Sequence, residues 1–487
     1  MCVSINYSGL PVFRCTVRTR KMDQKSGQVN PWEGRPVVII TTEHWTTTWF
    51  TKLLVSACRF PAINVTFVDI ASVSTYQEQF DLLRDAISQC VKNEKTTPLV
   101  FACTDVAMDV YSAVIEHIQH NESSVMEKTM TGAHFLSFFL ATNKLACRKL
   151  VKGCDGVGTK GVLNDMPTLP LLAKDVTGFF KPLADCGSEG VFKCEANDAN
   201  ILNPLSDSTN PMGDNEIVSG LASRYDELEP YLDKRLVGLV EEYISPAGRR
   251  VISVDGFVFQ GKLHRYTMSE NIYCENQPEV FDSLVTPAQG VGKALKAKLW
   301  ELWEKVIGDL VARGLNNQFA DVECFVLPDG RVEVMEVNCR TFSNQLPIFS
   351  RVFSGSRTCM FSAALDLMKG QAPPFVGHVP DAKNKVGVCA YMDVVPGAPD
   401  WYESEHEEEG CYASYYHVVG PGAGKYPAHI YVVSTKGAEA ARERCDTFHA
   451  EVTSKFATTS KYTRIFPRVV LSAIFLGAIF CFSQKMK

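Results

Sequence analysis

One segment in the second half of the chain constrains fold and chemistry more than any other. It covers 318–340 and reads QFADVECFVLPDGRVEVMEVNCR. Two stretches in which apolar and polar residues alternate flank Pro328-Asp329-Gly330, whose residue types favour a turn. Alternation on both sides of a turn predicts a β-hairpin with one polar and one apolar face.

The expected register of this hairpin brings acidic side chains together. A two-residue loop at Asp329-Gly330 would pair Glu323 with Glu336, and Asp321 with Asn338. Because successive side chains of a strand point to opposite faces, one face then carries Asp321, Glu323, Glu336, Asn338 and Arg340. The other face carries Val322, Cys324, Val326, Met335 and Val337.

Acidic side chains that face each other in this way favour a bound cation. Paired residues across a hairpin have Cβ atoms about 5 Å apart, and two carboxylates at that distance repel each other. Carboxylate and amide oxygens, without histidine or thiolate on the same face, suit a hard cation such as Mg²⁺ bound to phosphate oxygens. A solvated charged face is the alternative. The apolar opposite face and the flanking Arg340 favour a magnesium site.

Composition excludes several other classes of protein. A length of 487 residues suggests two or three packed units with room for a cleft between them. The formal net charge is −6 and no long run of lysine and arginine occurs, so we expect no nucleic-acid partner. The 17 cysteines are scattered without a C-x-x-C motif, which predicts buried thiols in a reducing compartment, the cytoplasm.

The first part of the chain alternates strand and helix patterns after a polar leader over 1–35. Apolar β-branched runs typical of buried strands cover 36–41, 64–70 and 98–102. Helical patterns cover 76–91 and 105–120. This order predicts a parallel α/β domain over 36–124. No G-x-G-x-x-G motif follows the first strand, so a Rossmann dinucleotide site is not supported.

Two further units follow along the chain. Mixed strands and helices continue over 125–375, and the proline-rich stretch QAPPFVGHVPD marks the end of this unit. Beyond it, 384–455 predicts a smaller α+β unit. The acidic run at 403–409 inside this unit has no regular facing pattern, so it is expected to be a solvated loop rather than a metal site.

The C-terminal segment 465–487 contains an apolar run, VVLSAIFLGAIFCF, between basic flanks. As a helix, the run at 469–482 would span about 21 Å, short of the roughly 30 Å hydrocarbon core of a bilayer. Two interpretations stay open: a short membrane anchor that leaves the rest of the protein in the cytosol, or an apolar helix packed on the body. Its apolar character on all sides favours the anchor.

Two weaker signals precede the hairpin. The segment FFKPLADCGSEGV at 179–191 places Lys181 before a loop with glycines, whose backbone N–H groups could approach a phosphate. Taken alone, it is better explained as a structural turn. The segment LVEEYI at 239–244 ends an apolar run with acids, and a chain passing between two domains there could offer backbone groups to an adenine base. Plain core is the alternative.

The order of these pieces resembles the ATP-grasp superfamily. Lys144 precedes a basic helix, and the glycine loop, the segment at 239–244 and the hairpin ending in Arg340 follow it. MEVNCR is similar to the family's E-x-N-x-R, and KPLADCGSEGV to its K-P-x-x-x-x-G-S-x-G-V. The resemblance covers about 36–370, and 384–455 is similar to the small extra domain of L-amino-acid ligases and carnosine-synthase-like enzymes. It implies an ATP-grasp fold of mixed α/β and α+β class.

The resemblance assigns a role to each motif residue. Lys144 and Lys181 match the two phosphate-binding lysines, and Arg340 matches the arginine that steadies the acyl phosphate and the tetrahedral intermediate. The mobile loop over the phosphates corresponds to Gly187, Ser188 and Gly190. The hinge that meets adenine corresponds to Glu241, Glu242 and Ile244. The magnesium ligands correspond to Glu323, Glu336 and Asn338.

One departure from the family concerns the ribose. The family usually has an acid for the ribose hydroxyls shortly after the hinge, where this sequence reads AGRRVISVDG. The sequence therefore assigns no acid to the ribose. Arg250 is instead expected to face the substrate carboxylate or a phosphate, as a catalytic residue beside Arg340.

The activity implied by the resemblance is an ATP-dependent ligase that forms C–N bonds. Such an enzyme uses ATP and Mg²⁺, with Mn²⁺ as a substitute, to convert a carboxylic acid or amino acid into an acyl phosphate that an amine attacks, releasing ADP and phosphate. The small acid, the amine and ATP would be its partners, a membrane would bind the C-terminal helix, and a homodimer is compatible. Two alternatives stay open: a ligase for a non-amino-acid carboxylate in a specialised small-molecule pathway, and an inactive membrane-tethered nucleotide-binding protein.

Overall fold

The structure is a computed structural model of the chain. It describes residues 2–6, 12–18, 36–41, 62–94, 97–102, 104–121, 134–154, 158–159, 162–165, 177–183, 191–195, 214–233, 236, 238–274, 277–341, 352–353, 360–373, 375–377, 381–395, 398–399, 401–418 and 428–456.

The N-terminal unit is built on a five-stranded sheet. In spatial order its strands are β1 (Cys2–Asn6), β2 (Val12–Arg18), β4 (Ala62–Asp69), β3 (Val37–Thr41) and β5 (Leu99–Phe101). β4 and β5 both run parallel to β3, so the three predicted strands form a parallel core. β1 and β2 extend this core in antiparallel fashion. The segment 1–35, expected to be a polar leader, thus contains two strands, for which the alternation in VFRCTVR is the local signal.

Two helices pack on this sheet and agree with the two helical patterns. They are α1 (Tyr76–Glu94) and α2 (Asp105–Asn121). Leu83 of α1 and Val114 of α2 are fully buried in the same apolar core as Val38 and Val100 of the sheet. α2 starts just after the carboxyl end of β5, so its first residues lie near that edge of the sheet.

The middle of the chain forms a second, smaller layer. Helices α3 (Phe135–Thr142) and α4 (Lys144–Gly153) are joined by Asn143, whose side chain caps α4 by accepting a hydrogen bond from the Ala146 amide at 3.0 Å. A four-stranded sheet follows, with the spatial order β7 (Val162–Asp165), β10 (Gly238–Glu242), β8 (Thr177–Pro182) and β9 (Phe192–Glu195). Helix α5 (Glu216–Ala222) lies between β9 and β10 in the sequence.

The largest sheet has ten strands and contains the hairpin. In spatial order they are β17 (Trp401–Glu408), β18 (Cys411–Val418), β19 (Ala428–Ser434), β16 (Val386–Met392), β13 (Gln277–Thr286), β12 (Lys262–Cys274), β11 (Arg250–Phe259), β14 (Gln318–Val326), β15 (Val332–Asn338) and β6 (Gly158–Thr159). Neighbouring strands are antiparallel except for β15 and β6.

Helix α6 (Lys293–Ala312) closes one face of this sheet. Its Trp303 is fully buried with Val254 and Val322 of the sheet, and its indole N–H donates to the Ala320 carbonyl at 3.1 Å. A Cβ at Gly256 would overlap the Trp303 ring, so only glycine permits this close packing. The part of this face around Trp303 is therefore apolar core.

The other face is partly covered by helix α7 (Met360–Met368). Leu365 of this helix is buried in a cluster with Phe257 and Phe319 of the ten-stranded sheet and with Ile39 and Phe101 of the N-terminal sheet. The two sheets thus share one apolar core at this end. Beyond Phe257 and Phe319 the residues on the same face become polar.

The segment 384–455 extends the large sheet, because β16 pairs with β13. It ends in helix α8 at 438–456. The expectation that 403–409 forms a solvated loop is wrong, since most of this run lies in β17, where Glu405 and Glu407 are exposed. β17 is an edge strand, and charges on an edge discourage pairing with other chains.

Among the helices that the structure describes, none has the length and apolar character needed to cross a membrane. The apolar run at 469–482 lies outside the described residues. The membrane anchor therefore stays a prediction.

Candidate active site

The hairpin of β14 and β15 has the predicted pairing at its acidic residues. Glu323 lies opposite Glu336, and Asp321 lies opposite Asn338. Asp321 and Asn338 are buried, whereas Glu323 and Glu336 are partly exposed. The four side chains lie on the face of the sheet opposite α6, where they form the start of a polar site.

The predicted two-residue loop of this hairpin is wrong. The Leu327 amide donates to the Arg331 carbonyl at 2.9 Å, which encloses a longer loop, and next to it Cys324 pairs with Val334. A β-bulge between Glu323 and Cys324 absorbs the one-residue shift. The acidic pairs therefore form as predicted, although the turn that was expected to set them differs.

The bulge moves Met335 to a different face from the one predicted. Instead of joining Val322 in the α6 core, Met335 packs with Val251 and Phe325, and Ile244 lies against this group. The two residues of a bulge that oppose one partner can both point to the same side of the sheet, which explains the error. The site thus has an apolar wall, which we call the hinge pocket: Val251, Phe325, Met335 and Ile244.

Arg249 lines the hinge pocket on one side. Its guanidinium donates to the Ile244 carbonyl and lies 4.8 Å from the centre of the Phe325 ring. These contacts hold the chain that follows β10 against the end of the hairpin. The segment at 239–244, proposed from sequence as a hinge, therefore contacts the hairpin directly.

Polar residues continue from the hairpin onto the neighbouring strands. Ser253 of β11 lies opposite Glu323, and Asp255 lies opposite Asp321. Asn271 of β12 donates to the Ser253 hydroxyl at 3.0 Å. We call this band across the sheet the polar stripe: Asn338, Glu336, Asp321, Glu323, Ser253, Asp255 and Asn271.

Lys144 contacts the polar stripe from α4. It is the first residue of that helix, its amide donates to the Leu183 carbonyl at 2.8 Å, and its ammonium group binds Glu336. Burial acts to lower the pKa of Lys144, but the Glu336 carboxylate outweighs burial and raises the pKa above its ordinary value. Lys144 is therefore a fixed positive charge beside the acidic pair.

A second cationic group lies next to it and includes Lys181. The carboxylate of Glu241, fully buried, is bound by the guanidinium of Arg148 and lies 3.3 Å from the Lys181 ammonium group. Arg148 also donates to the Met335 carbonyl, which ties α4 to the hairpin. Burial lowers the pKa of Lys181, and Glu241 opposes the effect. Both predicted lysines thus lie at the same end of the site.

Arg340 lies at the end of the hairpin and is held by the N-terminal unit. Its Nε and Nη2 atoms each donate to one carboxylate oxygen of Asp105, at 2.7 Å in both cases. Burial acts to lower the pKa of Arg340, and the charge of Asp105 raises it above its ordinary value. Asp105 is the first residue of α2, so a residue of the N-terminal unit reaches the site.

Asp255 and Asp321 are the least compensated charges of the site. Their exposed fractions are 1% and 2%. Neither carboxylate oxygen of Asp255, and only one of Asp321, has a hydrogen-bond partner among the described residues. Burial raises the pKa of both well above its ordinary range, and the charge of Asp321 adds to the effect on Asp255.

The side chains predicted to bind magnesium carry carboxylate and amide oxygens, which are ligands that Mg²⁺ prefers. No three His, Cys, Asp or Glu side chains of the described residues converge closely enough to hold a metal ion by themselves. Mg²⁺ usually takes one or two carboxylates and completes its shell with waters and substrate phosphates, so it does not need such a cluster. Burial raises the pKa of Glu323 to about 7, and the neighbouring Glu336 adds to the rise, so a cation between them would relieve both.

Arg250 does not lie in the site. It pairs with Val326, on the α6 face, and forms two hydrogen bonds of 2.8 Å with Glu270 and one of 2.6 Å with the Gln289 carbonyl. The alternation of β11 turns Arg250 away once Ser253 faces Glu323. The expectation that it meets the substrate carboxylate or a phosphate is therefore wrong.

The remaining predicted residues divide into two groups. Glu242, the last residue of β10, is exposed beside the buried Glu241, so its side chain points away from the two lysines. The glycine loop residues Gly187, Ser188 and Gly190 lie outside the described residues. Their role over the phosphates stays a prediction.

Three residues of the site were missed in the sequence. Arg148 lies one helical turn after Lys144, so the spacing already placed both on one face of α4. Asp255 is the one acid within the mainly apolar strand sequence RVISVDGFVF. Asp105 follows a parallel strand, a position at which ligand-binding residues often occur, but nothing in the sequence linked it to Arg340.

No family model and no curated protein matches the sequence. Solved structures do match the fold. An L-amino acid ligase from Bacillus licheniformis is 14% identical with a TM-score of 0.56, covering 86% of this chain and 97% of that one. A carboxyaminoimidazole ribonucleotide synthase from Aspergillus clavatus, complexed with ATP, is 14% identical with a TM-score of 0.53, covering 87% and 99%.

A third solved structure includes a metal–nucleotide complex. The biotin carboxylase domain of the 2-oxoglutarate carboxylase of Hydrogenobacter thermophilus, in complex with MgADP, ADP and bicarbonate, is 13% identical with a TM-score of 0.53. It covers 82% of this chain and 81% of that one. All three structures are ATP-grasp enzymes, and the chain therefore has the ATP-grasp fold that its motifs predicted.

Proposed function

We propose that this protein is an ATP-dependent carboxylate–amine ligase that works through an acyl phosphate. The observation that carries the proposal is the convergence of Lys144, Lys181 and Arg340 on the acidic pair Glu323 and Glu336. Positive groups from three separate parts of the chain meet two carboxylates on one face of one sheet. Such an arrangement suits the binding of a metal–phosphate complex.

The hinge pocket is the proposed adenine site. Val251, Phe325, Met335 and Ile244 provide an apolar wall, and the chain after β10 passes along it. A flat apolar base needs such a wall together with a few backbone groups that fix its orientation. Arg249 already engages the Ile244 carbonyl and covers Phe325, so it also borders this pocket.

The phosphates of ATP would lie between the hinge pocket and Arg340. Mg²⁺, or Mn²⁺ as a substitute, would be held by Glu323, Glu336 and Asn338, and it would neutralise charge on the phosphate oxygens. Lys144 and Lys181 add positive charge on the same side. Phosphoryl transfer depends mainly on positioning and on charge neutralisation, which this set of residues can provide.

The ligation itself requires an activated carboxylate. Transfer of the γ-phosphoryl group to the substrate carboxylate creates an acyl phosphate; an amine then forms the C–N bond while the C–O bond to phosphate breaks. Arg340 can hold anionic oxygens during both steps because its planar fork binds them at two points. The L-amino acid ligase noted above favours an amino acid as the acid, and a non-amino-acid carboxylate is the alternative.

The proposal is tested by measuring ADP and phosphate release over a panel of carboxylic acids and amines that includes amino acids, singly and in pairs. We expect release that requires Mg²⁺, one acid and one amine together, with an amide found by mass spectrometry. Nucleotide binding without release for any pair would contradict the ligase and favour an inactive nucleotide-binding protein.

A further inference from the structure

The contact between Asp105 and Arg340 joins two units of the protein at the site. Arg340 follows β15 of the large sheet, and Asp105 opens α2 in the N-terminal unit. The two hydrogen bonds of 2.7 Å are parallel and charge-assisted, which is the strongest geometry available to this pair. Their side chains are 14% and 16% exposed, so solvent reaches the pair only partly.

Asp105 is not needed to cap its own helix. The hydroxyl of Thr104, the residue before it, accepts a hydrogen bond from the Ala107 amide at 3.1 Å and supplies the N-terminal cap of α2. Both carboxylate oxygens of Asp105 are directed to Arg340 instead. The contact is therefore a specific link to the hairpin rather than a by-product of helix capping.

The geometry of the pair leaves part of Arg340 available. A guanidinium has five N–H groups, and the edge formed by Nε and Nη2 is bound by Asp105. On the other edge, Nη1 makes only a long hydrogen bond of 3.5 Å to the Thr341 carbonyl, so the edge formed by Nη1 and Nη2 can bind a second anion at the same time. Arg340 influences the pKa of Asp321 and of Glu336, so its charge lies close to the polar stripe while Asp105 holds it.

We propose that Asp105 is a positioning residue for ligation: it fixes Arg340 by one edge so that the other edge meets the anionic oxygens of the acyl phosphate. This inference rests on the function proposed above. It assigns the N-terminal unit a part in the reaction and not only in packing. A free arginine side chain would have to be ordered at each turnover, whereas a paired one is already in place.

The test compares Asp105→Asn and Asp105→Glu with Asp109→Asn, a control on the same helix that lies outside the site. We expect Asp105→Asn to lower kcat by about tenfold to a hundredfold while nucleotide affinity measured by calorimetry stays unchanged. Asp105→Glu keeps the charge and should recover part of the loss. Asp109→Asn should leave kcat unchanged.

The same substitution is repeated in an Arg340→Lys background to separate positioning from folding. If Asp105 acts through Arg340, Asp105→Asn should change kcat by less than about twofold there, because the geometry it protects is already lost. Normal ligation by Asp105→Asn, or an equal loss in both backgrounds, would overturn the inference alone. Wild-type protein that ligates no pair of substrates would overturn the proposed function and this inference with it.

Discussion

Two groups of acids line the candidate site and differ in how their charges are balanced. At the end next to the hinge pocket, Glu336 is bound by Lys144, and Glu241 by Arg148 and Lys181. Further in, Asp255 and Asp321 face each other, and among the residues that the structure describes neither carboxylate forms an ion pair, although the charge of Arg340 acts to lower the pKa of Asp321. The first group is stable as it stands, whereas the second costs free energy in the absence of a ligand.

The difference suggests that the two groups of acids respond differently when a ligand binds. A cation and a carboxylate that already neutralise each other can each exchange partners when a metal–phosphate complex arrives, with little change in net charge. An unpaired carboxylate pair gains only when something positive is added. Proteins keep such groups at functional sites although they lower stability.

The largest effect is expected at the centre of the paired group. Glu336→Gln keeps the shape and one acceptor oxygen for Lys144 but removes a charge that the proposed Mg²⁺ needs. We expect Mg-dependent ATP turnover to fall by about a thousandfold, or about 4 kcal/mol of transition-state stabilisation. The measurement is ADP release with circular dichroism to confirm folding. Asp329→Asn, in the exposed hairpin loop, is the control, and normal turnover by Glu336→Gln would remove Glu336 from the metal site.

The second effect concerns stability in the same group. Arg148→Met would leave Glu241, which is fully buried, with Lys181 as its remaining cation among the contacts described above. Breaking a buried ion pair from one side should lower the free energy of unfolding by about 3 kcal/mol. Urea denaturation measures it. Arg331→Met, on the exposed loop, should not shift the midpoint. An unshifted midpoint in Arg148→Met would mean that Glu241 is balanced without it.

The third effect concerns Arg340, which lies between the two groups. Arg340→Lys keeps the charge but loses the planar fork, so both Asp105 and the acyl phosphate would be held at one point instead of two. We expect ligation to lose at least about 2 kcal/mol of transition-state stabilisation. ATP affinity by calorimetry should stay nearly normal. An equal loss of ATP affinity would move Arg340 from the reaction to nucleotide binding.

The paired group was largely predictable from the sequence, because its residues lie in motifs with fixed spacing. Strand alternation placed the acidic side chains on one face, an assumed two-residue loop paired Glu323 with Glu336, and the family resemblance indicated Lys144 and Lys181. The predicted loop of the hairpin was too short, and the β-bulge that restores the pairing of the acids has no signal in the sequence. Met335 was placed on the wrong face for the same reason.

The rest of the site depends on contacts between distant strands and units, which local patterns do not encode. Asp105 meets Arg340 only because the N-terminal unit docks against the large sheet. Arg250 was assigned to the site because the sequence shows that it follows the hinge, but not to which face of the sheet β11 directs its side chain. Asp255 needed the pairing of β11 with β14 before its neighbour Asp321 could be recognised.

The smallest effect is expected in the unpaired group, and it has the opposite sign. Because burial and Asp321 raise the pKa of Asp255 above its unfolded value, the folded state binds the proton more tightly than the unfolded state. The contribution of Asp255 to stability is therefore intact below about pH 4, the unfolded pKa, and is lost as the pH rises towards the folded pKa. Asp255→Asn removes this loss, so it should stabilise the protein by about 1 kcal/mol near pH 8 and hardly at all near pH 4.

Urea denaturation of wild type and Asp255→Asn at several pH values from about 4 to 8 measures this gain. Ser253→Ala, two residues earlier on the same strand face, is the matched control: it removes a hydroxyl that accepts from Asn271 and should destabilise the protein by about 1 kcal/mol at every pH, without a charge effect. If Asp255→Asn instead lowers stability at neutral pH, a positive group must already lie between Asp255 and Asp321. In that case both halves of the site would be charge-balanced, and the contrast between the paired and unpaired acids would be wrong.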